Sequence, residues 1–190
     1  MMLEPLGAAM KAMWLGWGFY WVVAGRGAKA TRWRENWRSR ALDSGLLVLA
    51  VIAMLAGQRV IAILGVPFLP PDPAMPLLGV ALTALGLGFT IWSRVHLAGN
   101  WSGTVTLKEN HALIRTGPYR FVRHPIYSGA LLALAGTTLA VGEWRAVLAL
   151  ALILIAFLRR VRVEEAHLRA LFPDYDQYRS ETAALIPLLY

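Results

Sequence analysis

Residues 144–168 read WRAVLALALILIAFLRRVRVEEAHL, and this stretch decides the architecture. Trp144 to Leu158 is almost wholly apolar, whereas Arg159, Arg160, Arg162, Glu164 and Glu165 crowd the turns that follow. No Gly or Pro separates the two parts. One helix is therefore expected to leave an apolar medium and project into water until about Phe172, where Pro173 stops it. Just upstream lies a second apolar run, Ile126 to Val141, divided from the first by Gly142-Glu143. The pair reads as a tight helical hairpin. Runs of this length also suit buried helices or a re-entrant pair, because a full crossing needs about 20 mostly apolar residues.

Further toward the N-terminus, Leu6 to Ala24, Ser44 to Leu64 and Leu77 to Ala98 each have the length and composition of a membrane span. The composition agrees: 57% of residues are hydrophobic, 16% are charged and the mean hydropathy is +0.52. Soluble domains carry nearer a quarter charged residues. Cysteine is absent, which excludes disulfides, thiolate metal sites and a cysteine nucleophile. The first apolar segment has neither a basic leader nor a clear small-residue cleavage site, so it reads as a retained span. The expected fold class is all-α: a polytopic membrane bundle of five transmembrane helices. Residues 1–98 form a three-span scaffold, and 99–190 a region rich in polar side chains that contains the hairpin.

The net charge of +8 admits nucleic acid as a partner, but the positions of the charges argue otherwise. Gly25–Leu42 holds six Lys and Arg, Gly99–Pro125 holds four, and the tail from Arg159 holds five. Met1–Pro5, Gly65–Pro76 and Gly142–Glu143 hold none. The positive-inside rule then puts the N-terminus outside and the C-terminus in the cytoplasm. The basic balance is topological, and no nucleic acid is expected. Lys11, Arg59 and Arg145 fall near outer span ends, and Arg94 near an inner one; snorkelling or structural pairing accounts for them. Gly25–Leu42, with Trp33 and Trp37 among its arginines, also suits anionic lipid.

Residues 99–127 and 159–187 hold nearly all the remaining polar side chains, on the same side of the membrane. The first contains Gly117-Pro118-Tyr119-Arg120-Phe121-Val122-Arg123-His124-Pro125-Ile126-Tyr127-Ser128-Gly129. Gly117-Pro118 signals a turn. Pro125 fits the first turn of a helix, which puts His124 at or near its N-cap. In the second, Arg160 and Glu164 are four apart and share a helix face, while Glu165 is turned by about 100°. Phe172 to Tyr178, with Leu185-Ile186-Pro187 beyond, reads as a short amphipathic cap over the site. Gly86-Leu87-Gly88 has no strand–turn–helix context, so helix packing is the favoured reading, with approach to a cofactor as the alternative.

These pieces, in order, resemble the isoprenylcysteine carboxyl methyltransferase and phospholipid methyltransferase superfamily. The resemblance runs from about Leu85 to Pro187. It rests on Leu97 to Ser102, His111-Ala112-Leu113-Ile114, Gly117-Pro118-Tyr119, Arg123 to Gly129, Glu164 to Leu168, Phe172 to Tyr178 and Ile186-Pro187. It implies an integral membrane methyltransferase that uses S-adenosylmethionine, with 99–190 as its catalytic region and a lipophilic or lipid-anchored acceptor. By the same resemblance, Lys108, His111, Ala112, Leu113, Ile114, Tyr119, His124, Pro125, Ile126, Tyr127 and Glu164 contact the cofactor. Arg160 orients the acceptor, and Arg160, Glu164 and Glu165 form the catalytic group. No metal is expected. The acceptor that the resemblance implies first is a carboxylate of isoprenylcysteine type, which needs no general base. N- or S-methylation of a phospholipid head group or a small hydrophobic thiol is the alternative, and there Glu165, His124 or His167 would remove a proton. Two other classes compete: a nicotinamide-dependent sterol-type reductase, for which the chain is short, and a non-catalytic membrane scaffold or transporter.

Overall fold

The structure, a computed structural model, describes residues 3–25, 31–34, 37–55, 62–98, 106–108 and 113–187. Its helices are α1 (Leu3–Ala24), α2 (Trp37–Leu55), α3 (Ala74–Leu97), α4 (Pro125–Val141), α5 (Trp144–Leu171) and α6 (Tyr175–Glu181). Two short antiparallel strands, β1 (Thr31–Arg34) and β2 (Thr106–Lys108), form the one ribbon among the described residues, with Thr31 opposite Lys108. The fold is otherwise helical, and each expected apolar run coincides with a helix. Two boundaries differ. The helix of the second run starts at Trp37, so part of the basic segment expected before Ser44 is helical. Its described part ends at Leu55, and Ala62–Gly65 form a 3-10 turn.

The seam between α3 and α4 organises the bundle. Along α3, Gly79, Thr83, Gly86, Thr90 and Ser93 repeat at alternating steps of four and three and are all buried. A Cβ on Gly79 would lie 2.5 Å from the Gly136 carbonyl oxygen and 2.6 Å from the Ala140 Cβ. One on Gly86 would collide with the backbone of Gly129 and Ala133. The two helices thus run antiparallel with their backbones in contact, as small residues at helical spacing permit. Gly86 is a packing residue. A Cβ on Gly88 would meet nothing within 4 Å, so only one of this glycine pair lies in the seam.

Hydroxyls in the seam are used twice. Thr83 donates to the Gly79 carbonyl at 2.9 Å, and Thr137 to that of Ala133 at 2.9 Å. Thr90 likewise donates to the Leu87 carbonyl at 2.7 Å, and two of these oxygens accept from α1: Trp14 Nε1 donates to Thr137 Oγ1 at 3.0 Å, and Trp17 Nε1 to Thr90 Oγ1 at 2.6 Å. Arg94, buried, donates to the carbonyls of Ala24 (2.6 Å) and Ala98 (2.7 Å) and ties the end of α1 to the end of α3. It is a structural pairing.

Helix α2 packs along α5 through Ala50, Ala53 and Ala149. The pair is pinned at one end by Arg159 and the buried Asp43, 3.3 Å apart, and at the other by Arg145, which bonds Glu143 and the Met54 carbonyl. These pairings run α1, α3 and α5 in one direction and α2 and α4 in the other. Arg94, Arg115, Arg120, Arg123, Arg159, Arg160, Arg162, Arg169 and Arg179 consequently gather at one end of the bundle. Arg145 lies at the opposite end, Lys11 is exposed on α1, and Arg59 lies outside the described residues. Among the described residues, one helix, Ala74–Leu97, is long and apolar enough to cross a membrane by length and composition.

Candidate active site

Helix α4 begins as its sequence requires. Pro125 occupies the first helical turn and His124 the cap position, at φ −123° and ψ 60°. Upstream, Gly117 adopts φ +59°, open to glycine at no steric cost, and the His96 ring fills the space where its side chain would be. The turn Gly117–Arg120 then sets Tyr119 inward, 7% exposed and stacked on His96 at 6.5 Å. Helix α5 continues unbroken from its apolar part through Leu171, as expected, and carries Arg160, Glu164 and Glu165 alongside the start of α4.

The two segments meet through one imidazole. His124 Nδ1 lies 3.3 Å from a Glu164 carboxylate oxygen, and Nε2 lies 3.4 Å from Glu165 Oε1. Tyr127, stacked on His124, donates its hydroxyl to Glu164 at 2.6 Å. Arg123 donates from Nε to Glu165 at 2.7 Å, and Arg179 of α6 approaches the other oxygen of that carboxylate at 3.5 Å. Arg160, one helical turn before Glu164, adds its positive charge to the field at Glu164.

Charge states follow. Burial pulls the His124 pKa down, but hydrogen bonds and charge from Glu164 and Glu165 outweigh it and hold it above its ordinary 6.5. Burial raises Glu164; the His124 contact, the Tyr127 hydroxyl and Arg160 more than offset this, and its pKa stays below 4.5. Glu165 is also raised by burial, but His124 and Arg123 bring it down to about 2. Burial pushes the Tyr119 and Tyr175 phenols up, and Tyr178 to about 12. The arrangement is an imidazole between two carboxylates that favour its protonated form, with arginines behind it.

A return segment closes the site. The Arg123 and His124 amides donate to the carbonyls of Ala183 (2.9 Å) and Ala184 (3.0 Å), and Val122 bridges Ala183 in parallel. The Arg123 guanidinium also donates to the carbonyls of Arg179 and Thr182, and Ser128 to that of Leu185. Ala184 and Leu185 pack on Val161 beside Tyr127. The Tyr178 hydroxyl donates to the Tyr119 carbonyl, so α6 and the residues after it form the expected cap.

Of the residues singled out by sequence, the structure brings Tyr119, His124, Pro125, Tyr127, Arg160, Glu164 and Glu165 into this region. Ile126 is half-buried in the first turn of α4, and Leu113 and Ile114 are half-buried in the segment entering the Gly117 turn. Lys108 lies in β2. His111 and Ala112 lie outside the described residues. His167 hydrogen-bonds the Val163 carbonyl of its own helix at 2.7 Å. Sequence reasoning missed Arg123, Arg179 and His96 as site residues. Arg123 was within reach, since it adjoins His124, but its acceptors lie up to 60 residues away. Among the described residues no group of His, Asp and Glu is arranged to hold a metal ion.

The helical arrangement is shared with a eukaryotic intramembrane Ras methyltransferase, isoprenylcysteine carboxyl methyltransferase. The TM-score is 0.53 at 18% identity, over 83% of this chain and 55% of that one. The sequence pattern of the phospholipid methyltransferase family matches residues 74–175, more than half of the chain, and the protein belongs to that family. Similar proteins include the protein-S-isoprenylcysteine O-methyltransferase of Schizosaccharomyces pombe, 36% identical over 99 residues (50% of this chain, 42% of that protein). They also include the cobalt-zinc-cadmium resistance protein CzcN of Cupriavidus metallidurans, 33% identical over 118 residues (60% and 48%). The chain spans about half the length of the curated relatives it matches.

Proposed function

We propose that the protein is an integral membrane methyltransferase that uses S-adenosylmethionine to methylate a lipophilic carboxylate of isoprenylcysteine type. One observation carries this reading. Glu164, held anionic by His124, Tyr127 and Arg160, stands at the end of the bundle where the arginines gather. In the proposed topology five helices span the bilayer, with the N-terminus outside and this end cytoplasmic. The basic residues sorted to one end support it. Residues 1–98 act as scaffold and 99–190 as the catalytic region, the two halves being interleaved by the α3–α4 and α2–α5 contacts.

The donor set suits the cofactor. A carboxylate kept charged beside apolar and aromatic walls complements a sulfonium and an ammonium group. S-adenosylmethionine supplies, when bound, a methyl group on a cationic sulfur. Glu164 holds the cofactor's charged methionine end. By the family resemblance, Tyr119, His124, Pro125, Ile126 and Tyr127 hold its adenosyl and methionine portions, and Lys108 and His111 to Ile114 also contact it. Arg160, on the Glu164 face of α5, orients the acceptor carboxylate. Such a transfer is governed mainly by alignment, and a rigid wall of hydrogen-bonded side chains provides it.

The protonation states favour the carboxylate acceptor over an amine or thiol. His124 is biased toward imidazolium, and Glu165 is committed to Arg123 with a pKa of about 2. Glu165 at that value takes up no proton near neutrality, and both ring nitrogens of His124 already face carboxylates. A carboxylate arrives already ionised and needs none. Glu165 is better read as a positioning residue for Arg123 and His124 than as a group that touches the reacting atoms.

The test is a tritiated-methyl transfer screen over lipophilic acids, amines and thiols, with thermal stabilisation by S-adenosylhomocysteine and by NADPH measured alongside. The expected result is stabilisation by S-adenosylhomocysteine and transfer to the acids. Glu164→Ala abolishes cofactor binding; Arg160→Ala spares it and loses turnover. Stabilisation by NADPH alone overturns the reading, and full activity of Arg160→Ala removes its acceptor role.

A further inference from the structure

A cavity of about 810 Å³ lies next to the site and has none of Arg160, Glu164 or Tyr127 in its wall. It opens between the residues around Arg120, the last turns of α5 and the segment 176–187, and is lined by Arg120, Arg123, Arg169 and Arg179 against Asp176 and Glu181. The commitments of these arginines differ. Arg123 is bound to Glu165 and to backbone carbonyls. Arg169 pairs with Asp176 at 2.7 Å, but both side chains are largely exposed, and water weakens such a pair. Arg179 approaches Glu165 at 3.5 Å, and four arginines in the wall face two carboxylates there. Arg120 is exposed, has no ion pair to any described residue, and stands over the Phe121 ring at 5.8 Å. The cavity therefore has a surplus of guanidinium donors.

Its rim is apolar. Phe121, 53% exposed, and Pro187, also exposed, both lie in the wall. A soluble anion would find no use for this rim. A molecule with a phosphate next to hydrocarbon would use both parts, because a guanidinium binds phosphate oxygens bidentately. The cavity lies at the basic end of the bundle, where Lys and Arg face the anionic leaflet in the proposed topology.

We propose that this groove binds the phosphate head group of an anionic phospholipid, with Arg120, Arg169 and Arg179 as donors and Phe121 and Pro187 against its acyl chains. This is distinct from methyl transfer and from the acceptor. Because Arg179 also contacts Glu165, an occupant of the groove shares a residue with the network behind His124.

The test uses the full chain in mixed micelles, titrated with dioleoyl phosphatidylglycerol, dioleoyl phosphatidylcholine or inorganic phosphate, and read by native mass spectrometry and thermal stabilisation. Phosphatidylglycerol is expected to bind and stabilise, with the other two at least fivefold weaker. The double variant Arg120→Ala/Arg169→Ala is expected to lose at least fivefold in phosphatidylglycerol affinity while its S-adenosylhomocysteine stabilisation is unchanged, which shows that it folds. The charge-matched pair Arg115→Ala/Arg162→Ala, at the same end of the bundle but outside the lining of the groove, is expected to retain binding. Equal losses in both pairs mean diffuse attraction and overturn the site. Inorganic phosphate binding as tightly as the lipid overturns a lipid occupant. An acidic peptide that displaces phosphatidylglycerol more effectively than other lipids do makes the groove a protein dock, and the proposal fails.

Discussion

Replacing Glu165 by Gln tests the ion network that joins α4, α5 and α6. In the folded protein its carboxylate faces Arg123 Nε at 2.7 Å, His124 at 3.4 Å and Arg179 at 3.5 Å, and it is 13% exposed. Solvent screening is accordingly modest. A carboxyl that falls from an ordinary 4.5 to about 2 on folding contributes about 3 kcal/mol of pH-dependent stability. The folded value is the lower one, so the contribution is complete above pH 4.5 and is lost as pH falls toward 2. His124 has the opposite sign. Its folded value is above 6.5, so its contribution is complete below that pH and fades as pH rises through the folded value. The wild-type protein should be most stable between these limits. Glu165→Gln keeps the shape of the side chain but leaves the buried Arg123 without its counter-charge. At pH 6 it should lose about 3 kcal/mol, or roughly 6–12 °C in Tm for a chain of this size, and its acid-side decline should flatten. Thermal unfolding followed by tryptophan fluorescence from pH 3 to 9 measures both. A variant within about 2 °C of wild type at pH 6, or one with an unchanged acid limb, refutes the reasoning.

Three other outcomes are expected. Tyr127→Phe removes the 2.6 Å hydrogen bond to Glu164 and should weaken S-adenosylhomocysteine binding roughly tenfold by calorimetry, since a bond to a charged group is lost. Affinity for the same ligand should rise with pH through the raised His124 value, because a cation arriving at Glu164 competes with the imidazolium proton; His124→Gln should flatten that profile. Gly86→Val forces a side chain into the α4 backbone and should cost at least about 3 kcal/mol or prevent folding, whereas Gly88→Ala, facing open space, should leave Tm nearly unchanged.

The helices were legible because apolar runs and their punctuation are local. Pro125 announced the start of α4, Gly142 the hairpin, and Pro173 the end of α5. The pairing of Arg160 with Glu164 follows from helical spacing alone. The small-residue seam was half legible: Gly86 stood out, but its role depends on Gly129 and Ala133 of another helix. Least legible was the closure of the site. Arg123 is bound by carbonyls at 179 and 182, and backbone oxygens carry no side-chain signature. Trp14 and Trp17 carry no local sign of their partners, because their threonine acceptors lie 123 and 73 positions away. The start of α2 moved because Arg38 and Arg40, good helix formers, extend it beyond its apolar part.

The return segment imposes an order on biosynthesis. Arg123 and His124 emerge from the ribosome about 60 residues before the Ala183 and Ala184 carbonyls that hold their amides. Until those residues appear, the imidazole and its carboxylates can meet, but the strand that fixes them has not been made. A nascent chain released at Glu181 would contain the signature residues from Gly117 to Glu165 and still lack the closed site. The closed arrangement therefore exists only once residue 184 has been made, and a chain cut short of it would carry His124 and its carboxylates without the segment that holds their backbone.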